Sequence, residues 1–133
     1  MVGSIGTGLL LFVGIEPSDT SGDVARAVDK VVNLRVFPDA SGHMNRSLGE
    51  IDGSALVVSQ FTLLADMRKG RRPSFTGSAP PEIAAPLIDD LASGLRRAGI
   101  LTETGIFAAS MEVELVNEGP VTLVLDIKDG RVT

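Results

Sequence analysis

Residues 55–61 read Ala55-Leu56-Val57-Val58-Ser59-Gln60-Phe61, an apolar run that becomes polar at its end. The run follows a turn signal at Asp52-Gly53 and has the length and valine content of a buried strand. The polar side chains at its end either satisfy nearby backbone groups or line a pocket, and spacing alone leaves these two alternatives equal. This segment therefore predicts a buried strand with a candidate site at its end.

The segments on either side of this strand predict a second strand and two helices. Residues 9–15 form a continuous apolar run of strand length. Apolar residues recur at helical spacing over residues 21–33, after a capping signal at Thr20, and again over residues 81–99, which begin with proline and end with glycine. Each helix thus lies between strands along the chain.

The three remaining strand signals lie mostly in the last third of the chain. Residues 34–37 predict a short strand before a turn, residues 111–115 alternate apolar and acidic side chains, and residues 121–127 are again apolar. The turn at residues 117–120 either makes a hairpin of the last two strands or separates them, and its Gly-Pro step also permits a cis peptide bond. Strands with two inserted helices predict an α+β fold.

The composition predicts a single domain spanning residues 1–133, with a formal charge of −5 from 12 Lys and Arg against 17 Asp and Glu. No apolar run reaches the roughly 20 residues of a membrane helix. No secretion signal is evident, so the expected location is the cytoplasm. The chain has no cysteine and a single histidine, His43, beside a turn, so we expect no metal site, no cofactor and no catalytic triad.

A cluster of basic residues interrupts this acidic chain. Arg68, Lys69, Arg71 and Arg72 lie within five positions of a long polar segment. Such a cluster is usually a solvated loop, but it can also bind phosphates, and the acidity of the rest of the chain favours the second interpretation.

Several segments together are similar to the signature segments of the D-aminoacyl-tRNA deacylases, in the order and approximate spacing of that family. The main segments are residues 59–63, 68–75 and 117–122, supported by residues 33–37, 44–48 and 105–111. The resemblance covers nearly the whole chain. It implies a compact, β-barrel-like α+β domain with mixed sheets and two main helices, which forms an intertwined homodimer.

The resemblance also implies an activity. Members of this family hydrolyse the ester between a D-amino acid and the terminal adenosine of tRNA, and also act on glycyl-tRNA mischarged on tRNA-Ala. The Gly119-Pro120 step, in cis, would enter the pocket of the partner subunit and exclude L-amino acids by steric conflict. The expected partners are therefore the acceptor end of aminoacyl-tRNA and a second copy of the chain.

The resemblance assigns roles to the residues that match its motifs. The catalytic segment would be Ser59, Gln60, Phe61 and Thr62, with backbone N–H groups that stabilise an oxyanion. Thr62 as a covalent nucleophile is disfavoured because the sequence supplies no base to activate it. The acceptor end of tRNA would contact Arg68, Lys69, Arg71, Arg72, Phe107 and Met111, although a structural role for some of the cations is equally open.

Two departures from the family pattern affect these expectations. Glu118 stands where the family more often has a small residue or Asp, and the chain begins near the family's second strand, so an N-terminal strand is expected to be lacking. Two alternatives to the deacylase therefore stay open. They are a noncatalytic RNA-binding or scaffolding relative and a hydrolase of small esters or amides that does not need tRNA.

Overall fold

The computed structural model describes all residues, 1–133. It contains seven strands, two α-helices and one short 3-10 helix at Phe61–Leu64. In chain order the elements are β1 (Gly8–Val13), α1 (Ser21–Asn33), β2 (Phe37–Pro38), β3 (Met44–Arg46), β4 (Ser54–Ser59), α2 (Pro81–Arg97), β5 (Leu101–Thr104), β6 (Ile127–Lys128) and β7 (Arg131–Val132).

The central sheet has three parallel strands in the order β1-β4-β5. Strand β4, which the sequence predicts as a buried strand, lies in the middle of this sheet. Because parallel neighbours need a crossover connection, α2 connects β4 to β5, and the chain that contains α1 connects β1 to β4. Two small antiparallel pairs, β2-β3 and β6-β7, complete the strands.

Both predicted helices are confirmed. Helix α1 has the predicted bounds, and the N–H of Thr20 donates to Asp23 Oδ2 at 3.0 Å across its first turn. Helix α2 begins at the predicted Pro81 and ends two residues before Gly99, which has a φ of +89°. The N–H of Ile100 then donates to the carbonyl of Leu95 at 3.0 Å, which is a helix ending that favours glycine.

The core lies between the central sheet and the two helices. Alternate residues of β4, Ala55 and Val57, are 0% and 1% exposed, and Leu95 of α2 and Leu48 are fully buried. Eleven buried apolar residues form one contiguous cluster. Burial of this face fixes the register of β4, because a shift by one residue would turn Ala55 and Val57 away from the helices.

The expectation of a barrel-like closure is wrong for this structure, in which the sheets are open. Strands β1 and β5 each pair with β4 alone, so the first and last strands of the central sheet do not meet. The strands predicted at residues 111–115 and 121–127 are also absent, except that Ile127 belongs to the two-residue strand β6. An alternating pattern creates a strand only where a neighbouring strand accepts its hydrogen bonds, and within one chain neither segment has such a neighbour.

The short C-terminal hairpin of β6 and β7 is held to the start of α1 by Asp23. The carboxylate of Asp23 accepts the N–H of Gly130 at 2.7 Å through Oδ1, and its side chain is only 7% exposed. The pKa of Asp23 lies below its ordinary value of 3.8. The main cause is the hydrogen bond from the N–H of Gly130, and the hydrogen bond from Thr20 adds to it, although burial acts in the opposite direction. The charged form of Asp23 therefore stabilises the folded chain.

This contact predicts a pH-dependent effect of the substitution Asp23→Asn. Near neutral pH we expect the variant to unfold with a free energy about 1–2 kcal/mol below that of the wild type. A lowered folded-state pKa gives stability that is present above the unfolded value of about 3.9 and is lost as pH falls through the folded value. Urea unfolding of both proteins at about pH 7 and about pH 3 should show the difference shrinking at the lower pH. A difference that stays constant would contradict the role of the charge.

Candidate functional site

The candidate site lies at the carboxyl end of the central sheet. Strand β4 ends at Ser59, where the N–H of Gln60 donates to the carbonyl of Val13 at 2.8 Å at the end of β1. The chain leaves β5 at the same edge, where the N–H of Gly105 donates to the carbonyl of Val57 at 3.0 Å. Ligands of parallel sheets bind outside the carboxyl ends of the strands, so this edge is the expected place for a site.

The predicted catalytic segment forms a tight turn at this edge. Ser59 and Gln60 are half-buried, whereas Phe61 and Thr62 are exposed at the start of the 3-10 helix. A Cβ atom added to Gly14 would lie 3.3 Å from the carbonyl oxygen of Gln60, so glycine at this position allows the end of β1 to approach the turn closely. Phe61 and Thr62 are the first two residues of that helix, so no carbonyl of the helix accepts their N–H groups. These two N–H groups are therefore available to a ligand.

The hydroxyl of Thr62 has no base beside it. Its Oγ1 is hydrogen-bonded to the side-chain amide of Gln60, which cannot take up a proton at neutral pH. His43 lies on the exposed turn between β2 and β3, where its backbone N–H donates to Asp39 Oδ1 at 3.0 Å. The site therefore offers hydrogen-bond donors and hydroxyl groups, and no acid–base pair.

The basic cluster lies on a loop that is closed by main-chain hydrogen bonds. Asp66 and Ser74 exchange two of these bonds, at 2.7 and 2.9 Å. The guanidinium of Arg68 donates to both carboxylate oxygens of Asp66, from Nε at 2.9 Å and from Nη2 at 2.8 Å. This pair lowers the pKa of Asp66 and raises the pKa of Arg68. Arg68 thus has a structural partner within the loop.

The other three cations of the loop have no such partner. Lys69, Arg71 and Arg72 are exposed, and no carboxylate lies within 4.0 Å of their charged groups. Gly70 between them has a φ of +69°, a backbone conformation that favours glycine. The loop therefore has three positive charges that are not paired with a carboxylate, in a chain with a net negative charge.

An aromatic contact connects this loop to the turn. The rings of Phe61 and Phe75 meet edge to face, with centroids 5.0 Å apart and an angle of 73° between their planes. The sequence motifs give no role to Phe75 or to Asp66, because the importance of these residues comes from what they contact in the fold. The one local signal for the pair of Asp66 and Arg68 is an aspartate two positions before an arginine in a polar loop.

Phe107 and Met111 follow β5 at the same edge of the sheet. Phe107 is half-buried and packs against the core cluster, whereas Met111 is 41% exposed. The Met111 side chain lies over Gly105, since a Cβ atom added there would be 3.2 Å from Met111 Cε. Both residues thus lie on the chain that leaves the sheet beside the candidate turn.

The Gly119-Pro120 peptide bond is cis, as the family resemblance implies, and the turn around it is exposed. The side chain of Asn117 closes the turn: its Oδ1 accepts the N–H of Val121 at 3.0 Å, and its Nδ2 donates to Thr122 Oγ1 at 2.9 Å. Gly119 has a φ of +123°. No hydrogen bond joins this turn to residues 59–62 of the same chain.

Other features of the surface add no further chemistry to this site. No group of three or more His, Cys, Asp or Glu side chains is arranged to hold a metal ion. Neither α-helix combines the length and apolar character required to cross a membrane.

The sequence of this chain is similar to those of known deacylases. The family model described as D-Tyr-tRNA(Tyr) deacylase matches residues 1–126. A D-aminoacyl-tRNA deacylase of Herpetosiphon aurantiacus is 54% identical over 126 residues, which cover 95% of this chain and 82% of the relative. One from Thermomicrobium roseum is 56% identical over 131 residues, covering 98% of this chain and 85% of the relative.

Solved structures show the same fold. A structure described as the c-Myc DNA Unwinding Element Binding Protein superposes with a TM-score of 0.82 at 38% identity, covering 90% of this chain and 81% of that one. A probable eukaryotic D-amino acid tRNA deacylase superposes with a TM-score of 0.69 at 18% identity, covering 80% and 77% of the two chains, and shows the fold alone. The chain belongs to the D-Tyr-tRNA(Tyr) deacylase family.

Proposed function

We propose that this protein is a D-aminoacyl-tRNA deacylase, which removes D-amino acids from mischarged tRNA and acts as a single domain in the cytoplasm. The observation that carries the proposal is the turn at residues 59–62. It offers backbone donors beside a loop of free cations in a chain whose close relatives bear the deacylase name. A noncatalytic RNA-binding role is not favoured, because the family match spans the segment proposed to catalyse the reaction and the similar relatives bear the name of the enzyme.

The chemistry proposed for the site needs no covalent intermediate. A water molecule attacks the carbonyl carbon of the aminoacyl ester, and the N–H groups of Phe61 and Thr62 stabilise the negative charge that develops on the carbonyl oxygen. The intermediate then expels the ribose 3′-oxygen, which takes up a proton, and releases a free amino acid and tRNA. Because the turn contains no base, we propose that the neighbouring 2′-hydroxyl of tRNA assists the attacking water.

The substrate's nucleic acid would be bound by the loop and by the segment after β5. Lys69, Arg71 and Arg72 would contact phosphates of the acceptor stem, since their charges are not neutralised within the chain. Arg68 would support the loop through Asp66 and contribute less to binding. Phe107 and Met111 would lie beside the terminal adenosine, where an apolar surface can hold a base.

This division of the loop predicts that the double substitution Arg71→Ala with Arg72→Ala weakens tRNA binding. We expect KM for D-tyrosyl-tRNA to rise about tenfold, and the slope of log KM against log salt concentration to fall by about one for each charge removed. Steady-state kinetics at several salt concentrations measures both quantities. Arg97→Ala is the matched control, because Arg97 is an exposed cation near the end of α2, away from the loop. A KM equal to that of the control would contradict the proposed contact.

The proposed working form is a homodimer in which the Gly119-Pro120 turn of one copy completes the pocket of the other. The turn is exposed and not hydrogen-bonded to residues 59–62 of its own chain. The chain around it is also unusually apolar for a surface, which supports association. The exposed large apolar residues of this region are Ile106, Met111, Val113, Leu115, Val116, Leu123, Val124 and Leu125.

The direct test compares hydrolysis of D-tyrosyl-tRNA and L-tyrosyl-tRNA by catalytic amounts of the purified chain, with a chelator present. We expect release of D-tyrosine alone, because the mechanism uses no metal and the partner's turn excludes the L-isomer. Glycyl-tRNA charged on tRNA-Ala should also be cleaved, since glycine has no side chain to exclude. Absence of turnover in a folded, dimeric preparation would refute the enzymatic proposal. Cleavage of a free D-tyrosyl ester at an equal rate would identify a small-ester hydrolase instead.

A further inference from the structure

Phe75 contacts the catalytic turn from outside it. Phe61 is 54% exposed, and the only aromatic ring that it meets is that of Phe75, at the edge-to-face distance of 5.0 Å. Phe61 opens the 3-10 helix, so the position of its side chain also bears on the direction of the adjacent N–H groups. Since the core does not enclose Phe61, its orientation depends strongly on this one contact.

The loop itself holds Phe75 in place. The residue before it, Ser74, forms the pair of main-chain hydrogen bonds with Asp66. The carbonyl of Phe75 accepts two hydrogen bonds from Ser78, from its backbone N–H at 3.2 Å and from its hydroxyl at 2.8 Å. Phe75 is 36% exposed, so closure of the loop, more than burial of the ring, determines where the ring lies.

We propose that Phe75 is a positioning residue that transmits the geometry of the basic loop to the catalytic turn. The inference rests on the proposed deacylase function, and goes beyond it by assigning a task to a side chain that touches no reacting atom. The Phe75 ring holds Phe61, and through Phe61 the N–H groups of residues 61 and 62, at the distance from the ester that oxyanion stabilisation requires. The contact between Phe75 and Phe61 then couples phosphate binding on the loop to the chemistry at the turn.

The test compares Phe75→Leu, Phe75→Tyr and Phe75→Ala with the wild type on D-tyrosyl-tRNA, measuring kcat and KM separately. We expect kcat of the leucine variant to fall about tenfold while KM changes less than about threefold, because the cations of the loop remain in place. Phe75→Tyr retains the ring edge and should restore kcat to within about twofold of the wild type. Leucine keeps most of the apolar bulk, so this variant remains informative if the alanine variant fails to fold.

Met67→Ala is the matched control, because Met67 belongs to the same loop and is 75% exposed. It should leave both constants unchanged, and thermal unfolding should show that all variants are folded at the assay temperature. A leucine variant with wild-type kcat, or a tyrosine variant as slow as the leucine variant, would overturn the proposal. A wild-type chain that does not turn over at all would instead overturn the deacylase function on which the proposal rests.

Discussion

Gly119→Ala is expected to lower the ratio of D-tyrosyl-tRNA to L-tyrosyl-tRNA hydrolysis about 100-fold, because a displacement of about 1 Å at a substrate-positioning group has effects of this size. Gly119 has a φ of +123°, a conformation that side chains of L-residues rarely adopt. An added Cβ atom would also lie 2.8 Å from Val121 Cγ2 and 3.1 Å from the nitrogen of Val121. The turn must therefore change shape, and the partner's pocket would lose the surface that excludes L-amino acids.

Gly42→Ala is the matched control for this substitution. Gly42 also has a positive φ, +82°, but nothing lies within 4 Å of its added Cβ atom, and it is on the distant turn between β2 and β3. It should therefore carry a comparable backbone strain and leave discrimination unchanged. Initial rates with both substrates measure the ratio, and sedimentation gives the oligomeric state. A discriminating enzyme that sediments as a monomer would contradict the shared pocket, and equal ratios for the two variants would contradict the role of Gly119.

Gly8→Ala is expected to have the largest effect on stability. An added Cβ atom at Gly8 would lie 1.8 Å from the carbonyl oxygen of Ser54, in the strand paired with it. The contact is with backbone, so no side chain can move aside, and β1 must separate from β4 at its first residue. We expect the free energy of unfolding to fall by about 3 kcal/mol or more, and the melting temperature by about 10 °C.

Gly6→Ala tests whether this effect is steric. Gly6 precedes β1 and has no atom within 4 Å of its added Cβ, so alanine there should alter stability by less than about 0.5 kcal/mol. Chemical unfolding followed by circular dichroism compares both variants with the wild type. Equal stability of the two variants would show that β1 and β4 do not approach as closely at Gly8 as the structure indicates.

Sequence predicted those parts of the fold whose signals are local. Helix α1 and the start of α2 were predicted to the residue, since caps and apolar spacing act within a few positions. The buried strand β4 was predicted to within two residues, because its apolar residues form an uninterrupted run after a turn signal. Residues 111–115 and 121–127 have equally clear strand patterns but form no long strands. The pattern indicates which side chains favour burial, and it does not indicate whether a neighbouring strand is present.

In the candidate site too, the sequence predicts local segments, and the contacts between them are found only in the structure. Motif similarity pointed to the turn at residues 59–62 and to the basic loop, and the structure adds how they are connected. The family resemblance gives Arg68 and Arg71 the same role, yet Arg68 is paired with the carboxylate of Asp66 and Arg71 is free. The contact of Phe61 with Phe75 joins positions fourteen residues apart through loop closure, which single-sequence patterns do not report.

The hydrogen bond from Gly130 to Asp23 has a consequence for synthesis of the chain. Its two residues are 107 positions apart, so the ribosome must add all the residues between them before this contact can form. Until then the carboxylate of Asp23 has only its local partner in the first turn of α1, and the nascent helix carries an unshielded acidic group. The hairpin of β6 and β7 therefore docks on α1 only after the elements between them in the chain have been made.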